Sequence, residues 1–168
     1  MSTIRVVWGS ATAPTKMASY DGALADAGIE NYNLVTVSSV IPADTEVEAV
    51  GTAPDLGPAG NRLTVVQARA TTAGPGRVSA ALAWAQSEPA SRDSEATETG
   101  PGLFYETSGE TEREDVERRV LEGLEAGQGL RDWSFTEPGI RSETAVADSG
   151  TYTTAIVVAV YGQSEPIC

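Results

Sequence analysis

A chain of 168 residues with a formal net charge of −13, no histidine and one cysteine is restricted in the chemistry it can carry. Without histidine there is no Ser-His-Asp or Cys-His catalysis and no imidazole metal site, and the lone thiol, Cys168, can neither close an internal disulfide nor build a zinc cluster. The 24 acidic residues against ten arginines and one lysine would repel nucleic acid, and no stretch approaches the roughly 18 apolar residues of a membrane span.

The length suits one domain with a real core. Met1–Val6 enters a strand pattern without a signal-peptide layout, so a cytoplasmic protein is expected. The bulk acidity reads best as adaptation to strong salt. At about 1 M salt the screening length is only about 3 Å, so long-range steering of a cationic substrate would vanish and only individual carboxylates could recognise one.

Ile4–Trp8 alternates as a first strand, and Gly9–Thr15, rich in small residues, reads as a loop. Met17–Ala27 is predicted as a helix with Ala18, Leu24 and Ala27 on one side and Gly28 as its C-cap; Asp21 borders that apolar side. Asn33–Pro42 then reads as a buried strand, apolar and β-branched apart from Ser38-Ser39 in its middle. Two hydroxyls in such a strand would ordinarily bond to neighbouring backbone.

Pro42–Gly60 reads as one long loop and Leu63–Ala70 as a strand. Pro75–Gln86 is predicted as a helix, with proline in its first turn and Val78, Ala81, Leu82 and Ala85 as a close-packing face. Ser87–Pro101, polar and acidic, reads as a central linker, and Gly102–Glu106 as a strand ending in an acid. Thr111 and Glu114 suggest a capping box for a helix over Glu112–Ala126, with Val116, Val120 and Leu124 at helical spacing. Ile140–Ala147 and Thr151–Tyr161 close the chain as two strands turned by Asp148-Ser149-Gly150, the last apolar enough for burial on both faces.

Strand–helix–strand–strand thus occurs before the middle helix and again after Pro101. An internal duplication is suggested, although no residue-level repeat backs it. The expected class is α+β, with helices outside stacked sheets. Lys16, the only lysine, lies in a small-residue loop without a phosphate-cradling glycine pattern, so pyridoxal phosphate is not expected, and without histidine or a cysteine cluster no metal is expected either.

The set Tyr20-Asp21-Gly22-Ala23-Leu24, Ala27-Gly28-Ile29, Asn33-Leu34, Val37-Ser38-Ser39-Val40-Ile41-Pro42 and Gly102-Leu103-Phe104-Tyr105-Glu106, in this order, resembles the pyruvoyl-dependent arginine decarboxylases of the archaeal type. The resemblance covers nearly the whole chain and is densest from Tyr20 to Pro42. It departs at Pro42-Ala43, where the family often has two prolines, and in the longer, more acidic Ser87–Pro101 segment.

The resemblance implies a four-layer α/β/β/α sandwich and self-cleavage between Ser38 and Ser39. One domain would become a small chain, 1–38, and a large chain, 39–168, bearing a covalent pyruvoyl group made from Ser39. It implies further that Glu106 returns a proton to the substrate, that Asp21 pairs with the substrate guanidinium, and that Asn33 positions the cleavage site or the substrate. The expected product of L-arginine is agmatine, and the expected assembly is a homotrimer of cleaved protomers, or a multiple of it, with sites between subunits. Two rivals stay open: the same chemistry on histidine, ornithine or aspartate, and an uncleaved, non-catalytic trimeric binder of small molecules.

Overall fold

The computed structural model describes residues 2–90 and 98–168. Along the described chain run β1 (Ser2–Ala13), α1 (Lys16–Asp26), β2 (Asn33–Thr36), β3 (Val40–Ile41), β4 (Thr45–Gly51), β5 (Arg62–Thr72) and β6 (Gly76–Gln86). They are followed by β7 (Gly102–Gly109), α2 (Arg113–Gln128), β8 (Gly139–Ala147) and β9 (Tyr152–Tyr161). The strands form a five-stranded sheet in the order β2-β5-β9-β1-β4 and a four-stranded sheet in the order β3-β7-β6-β8.

Period-two alternation assigns each strand face to a layer. In β9, Ile156, Val158 and Val160 pack under α1 with Val7, Ala23, Leu24 and Leu63, whereas Val157 and Ala159 turn to the other side. There they meet Ala80, Leu82 and Phe104 of the second sheet, which closes the core between the sheets. The opposite faces of β6 and β7, through Ala81, Ala83, Ala85 and Leu103, lie under Val116, Val120 and Leu124 of α2. The layers therefore run α1, five-stranded sheet, four-stranded sheet, α2: the four-layer sandwich that the resemblance implied. β1-α1-β2 and β7-α2-β8 are both crossovers between strands that run parallel, each laying its helix on the outer face of its own sheet.

α1 lies unusually close to β1 because two glycines remove side chains from the contact. A Cβ on Gly9 would come within 2.6 Å of the Ala23 carbonyl oxygen, and one on Gly22 within 2.7 Å of the Ala11 methyl. Thr15 caps the helix through a bond from the Ala18 N–H (3.2 Å), and Gly28 follows the C-cap residue Ala27 with φ of +80°, a backbone state that suits glycine.

Several expectations are corrected. The stretch after Pro75 is not a helix but β6, the strand between β7 and β8, with Val78 and Ala80–Ala83 all buried. A run buried on both faces carries no period that separates helix from strand. The long Pro42–Gly60 loop contains β4, whose Val47 and Ala49 pack against the inter-sheet core between outward glutamates. β1 does not stop at Trp8 but pairs with β9 as far as Ala13↔Tyr152.

The capping box does not form. Glu112 is the N-cap without a side-chain cap bond, and the Thr111 hydroxyl donates instead to Asp115 (3.1 Å). The Ser87–Pro101 segment does not join two halves: it connects the antiparallel neighbours β6 and β7, its ends tied by Ser87 N–H to the Pro101 carbonyl (3.1 Å) and Gly100 N–H to the Ser87 carbonyl (2.8 Å). Residues 91–97 of that segment lie outside the described residues.

Because Leu82 is fully buried between the two sheets, Leu82→Ala is expected to destabilise the protein by about 2–5 kcal/mol. Denaturant unfolding in strong salt checks this; a loss under about 1 kcal/mol would show that the inter-sheet core is not packed as described.

Candidate active site

The expected Asn33–Pro42 strand is in fact two strands in different sheets. β2 pairs in parallel with β5 from Asn33↔Arg62 to Thr36↔Val65, and the Val37 N–H continues that ladder to the Val65 carbonyl (2.9 Å). The chain then leaves the sheet. The Phe104 N–H bonds to the Ser39 carbonyl (2.7 Å), and β3 pairs with β7 through Val40↔Leu103 and Ile41↔Gly102. The Ser38–Ser39 peptide bond is therefore the link by which the backbone passes from one sheet to the other, anchored by one backbone hydrogen bond on each side. Ser38 is exposed and Ser39 half-buried, and neither hydroxyl has a hydrogen-bond partner among the described residues. The ordinary fate of a strand hydroxyl, bonding to adjacent backbone, is not realised here.

The same stretch is less buried than its composition predicts. Val35, Val37 and Val40 are 43, 38 and 46 % exposed, so the apolar side chains flanking the serines lie on the surface of the single chain.

Glu106 stands on β7 opposite Leu82, two residues beyond Phe104 and hence on the same strand face. Phe104 fills the inter-sheet core, which places Glu106 at the margin of that core. The residue is exposed, yet its carboxyl sits among enough protein to lose hydration, and this desolvation raises its pKa from the ordinary glutamate value. No described cation lies within ion-pair distance to oppose the shift. Ser39 and Glu106 are thus brought to one strand of the second sheet, related through Phe104.

Asp21 is on the exposed side of α1 and lines a cleft of about 300 Å³ with Met17, Tyr20, Leu24, Glu30 and Tyr32. Tyr20 is held by its hydroxyl bond to Gln67 (2.8 Å) and by the Arg69 guanidinium, 4.4 Å above its ring. Tyr32 is held through the Gly57 carbonyl (3.1 Å) and the Leu56 N–H (3.2 Å). A cleft with two carboxylates between apolar and aromatic walls suits a cation on an apolar stem. Neither the serines nor Glu106 belong to its lining.

Asn33 opens β2, where its amide donates to the Gly60 carbonyl (2.8 Å), which ties the strand to the loop that leads into β5. Its Oδ1 has no partner among the described residues. From Asn33 to Ser38 the extended chain covers about 16 Å, so the two are not in contact through that strand.

Sequence reasoning did not single out Glu30 or Tyr161. Glu30 is one acid among many, and nothing in its neighbours marks it. The Tyr161 hydroxyl donates to the Val40 carbonyl (3.0 Å), next to the serine pair. The only sequence signal was a tyrosine ending an apolar strand, a place where a polar tip can leave the core.

Comparison with known proteins agrees with this geometry. The family model "Pyruvoyl-dependent arginine decarboxylase" matches residues 3–166. A pyruvoyl-dependent arginine decarboxylase of Halobacterium salinarum is 56 % identical over 167 residues, covering 99 % of this chain and 98 % of the relative. Namesakes from Pyrococcus furiosus and Methanocaldococcus jannaschii are 36 % and 30 % identical, covering 89 % and 80 % of this chain and 89 % and 74 % of theirs. With a serine pair bridging two sheets and a match along almost its entire length, this chain belongs to the pyruvoyl-dependent arginine decarboxylase family.

Proposed function

We propose that this chain cuts itself between Ser38 and Ser39 and then decarboxylates L-arginine to agmatine and carbon dioxide. The observation that carries the reading is the sheet-crossing Ser38–Ser39 link, its hydroxyls unpartnered among the described residues, with the Val37 N–H held on one side and the Ser39 carbonyl on the other.

In the cut, Ser39 Oγ attacks the Ser38 carbonyl carbon, the amide nitrogen leaves as an amine, and an ester forms. β-Elimination breaks the ester Cβ–O bond, freeing the Ser38 carboxylate and leaving dehydroalanine at position 39. One water then replaces the nitrogen, which departs as ammonia, to give the ketone. The pyruvoyl group supplies an electrophilic carbonyl for the substrate's α-amine and a sink for the electrons left by carbon dioxide.

The chain's own residues do the rest. Phe104 N–H holds the carbonyl of position 39 before and after the cut. Glu106, whose carboxyl desolvation pushes toward the neutral form, is the acid that delivers a proton to the α-carbon. Asp21, with Glu30 beside it, receives the guanidinium, while the apolar cleft walls take the methylene stem. An aspartate substrate would be repelled there. Asn33 keeps an amide oxygen available for positioning.

The Asp21 cleft lacks the serines and Glu106, and the exposed Val35, Val37 and Val40 form an apolar surface beside the cut. A neighbouring copy would cover those valines and bring its own cleft to the pyruvoyl group. The site is thus shared between subunits, and the resemblance gives a homotrimer. No described helix is long and apolar enough to cross a membrane, and we assign the enzyme to the cytoplasm.

Asp21→Asn is expected to process normally and lose arginine turnover at least a hundredfold; unchanged turnover would remove Asp21 from guanidinium recognition. Mixing Asp21→Asn with Ser39→Ala, each inactive alone, should restore part of the activity if sites are shared. No recovery after co-refolding would place each site within one chain.

Turnover should fall as pH rises through the Glu106 pKa, which desolvation raises, because the neutral acid is the donor. Glu106→Gln should remove that limb and spare cleavage more than turnover. Equal, full loss of both would mark a structural role.

A further inference from the structure

We propose that Tyr161 is a positioning residue for self-cleavage, its hydroxyl reaching across from the five-stranded sheet to fix the short strand that begins at Ser39. The inference rests on the proposed cut between Ser38 and Ser39.

β3 is only two residues long and pairs with β7 alone, so it has little ladder to hold it. In an antiparallel pair the bonded positions alternate. Phe104 N–H bonds to the Ser39 carbonyl, and at the next position, Val40↔Leu103, the Val40 carbonyl therefore points away from β7 toward the open sheet edge. An outward carbonyl at that point has no strand to meet. The Tyr161 hydroxyl, 3.0 Å away, is its partner.

Three further features make this bond decisive. Tyr161 ends β9 and is itself fixed opposite Ile4 of β1, so it is anchored in the sheet that the chain has just left. Its ring meets Phe104 edge-on at 6.1 Å between centroids, and the backbone N–H of the same Phe104 holds Ser39. Beside it lies a cavity of about 190 Å³ lined by Ile4, Pro42, Thr45, Tyr161 and Gly162, into whose wall Thr45 brings a buried hydroxyl without a partner among the described residues. Packing is incomplete along this side of β3, so the bond adds a directional restraint to the burial of Ile41 in the inter-sheet core. Burial pushes the Tyr161 phenol up to about 12, which keeps it a donor throughout the neutral range.

With the Val40 and Ser39 carbonyls both held, and Val37 held in the other sheet, the backbone on either side of the Ser39 hydroxyl and the Ser38 carbonyl carbon is restrained. Displacing reacting atoms by about 1 Å can cost roughly a hundredfold in rate.

The test is the time course of fragment formation after cell-free synthesis of the full chain in strong salt. It compares the parent chain, Tyr161→Phe and Thr12→Val. Tyr161→Phe keeps the ring and loses only the hydroxyl. Thr12→Val removes a hydroxyl bond of the same sheet, Thr12 to Thr153 (2.7 Å), far from the cut, and so reports what a merely structural loss does. Tyr161→Phe is expected to cleave about tenfold more slowly, the worth of one ordinary hydrogen bond, and once processed to bind arginine with the parental KM. Thr12→Val, with a similar fall in melting temperature, is expected to cleave at the parental rate.

If Tyr161→Phe cleaves as fast as the parent, or if both variants slow in proportion to their lost stability, the positioning role is wrong. If the parent chain itself does not cleave, the self-cleavage reading fails and takes this inference with it.

Discussion

A single backbone hydrogen bond on each side ties the Ser38–Ser39 peptide bond to two different sheets, Val37 N–H to Val65 on one and Phe104 N–H to Ser39 on the other. Most of the account depends on that arrangement. A serine pair inside one continuous strand would have its carbonyls committed to a ladder and its hydroxyls pressed into a core or a solvated face. A pair at a sheet-to-sheet crossing keeps the hydroxyls unpartnered while its flanks are immobilised. Cutting there removes no strand from either sheet.

After the proposed cut, the fold would hold the two pieces together without a disulfide. The small fragment contributes β1, which lies between β9 and β4 of the large one, and β2, which pairs with β5. Ile4, Val6 and Val7 are buried on both sides of β1, each worth about 1.5–3 kcal/mol, in addition to the ladder itself. Charge does not oppose the union much. Residues 1–38 carry two basic and three acidic groups, a net of −1, which leaves −12 of the total −13 on the larger fragment. In strong salt that excess is screened within a few ångströms, whereas the proposed contact-range pairing of Asp21 and Glu30 with a cation would survive. The 56 % identical relative comes from Halobacterium salinarum, which fits the reading of the acidity as an adaptation to salt.

What could be read from the sequence were features whose signal is local. α1 announced itself by spacing and by Gly28; β9 by its β-branched run; β7 by an apolar stretch ending in Glu106; α2 by Val116, Val120 and Leu124. What could not be read were features decided by tertiary context. β6 is rich in alanine because α2 lies close on one face and the first sheet on the other, and that same alanine content mimics a helix. β4 hid among prolines despite its alternation of Glu46, Val47, Glu48 and Ala49. The strand through Ser38-Ser39 looked continuous because nothing in its composition records a change of partner. Glu30 and Tyr161 matter through where folding puts them: one beside Asp21, the other against Val40 from 121 residues away.

The central claim is that Ser39 is a precursor whose hydroxyl is lost in making the reactive carbonyl. Intact-mass measurement of the purified, denatured chain after incubation in strong salt, alongside Ser39→Ala, tests it most directly. The account predicts fragments of 38 and 130 residues from the parent chain, the larger with a blocked amino terminus that reacts with carbonyl reagents, and one uncut chain of 168 residues from Ser39→Ala. A parent chain that remains whole, or a large fragment that begins with a free serine amine, would contradict it.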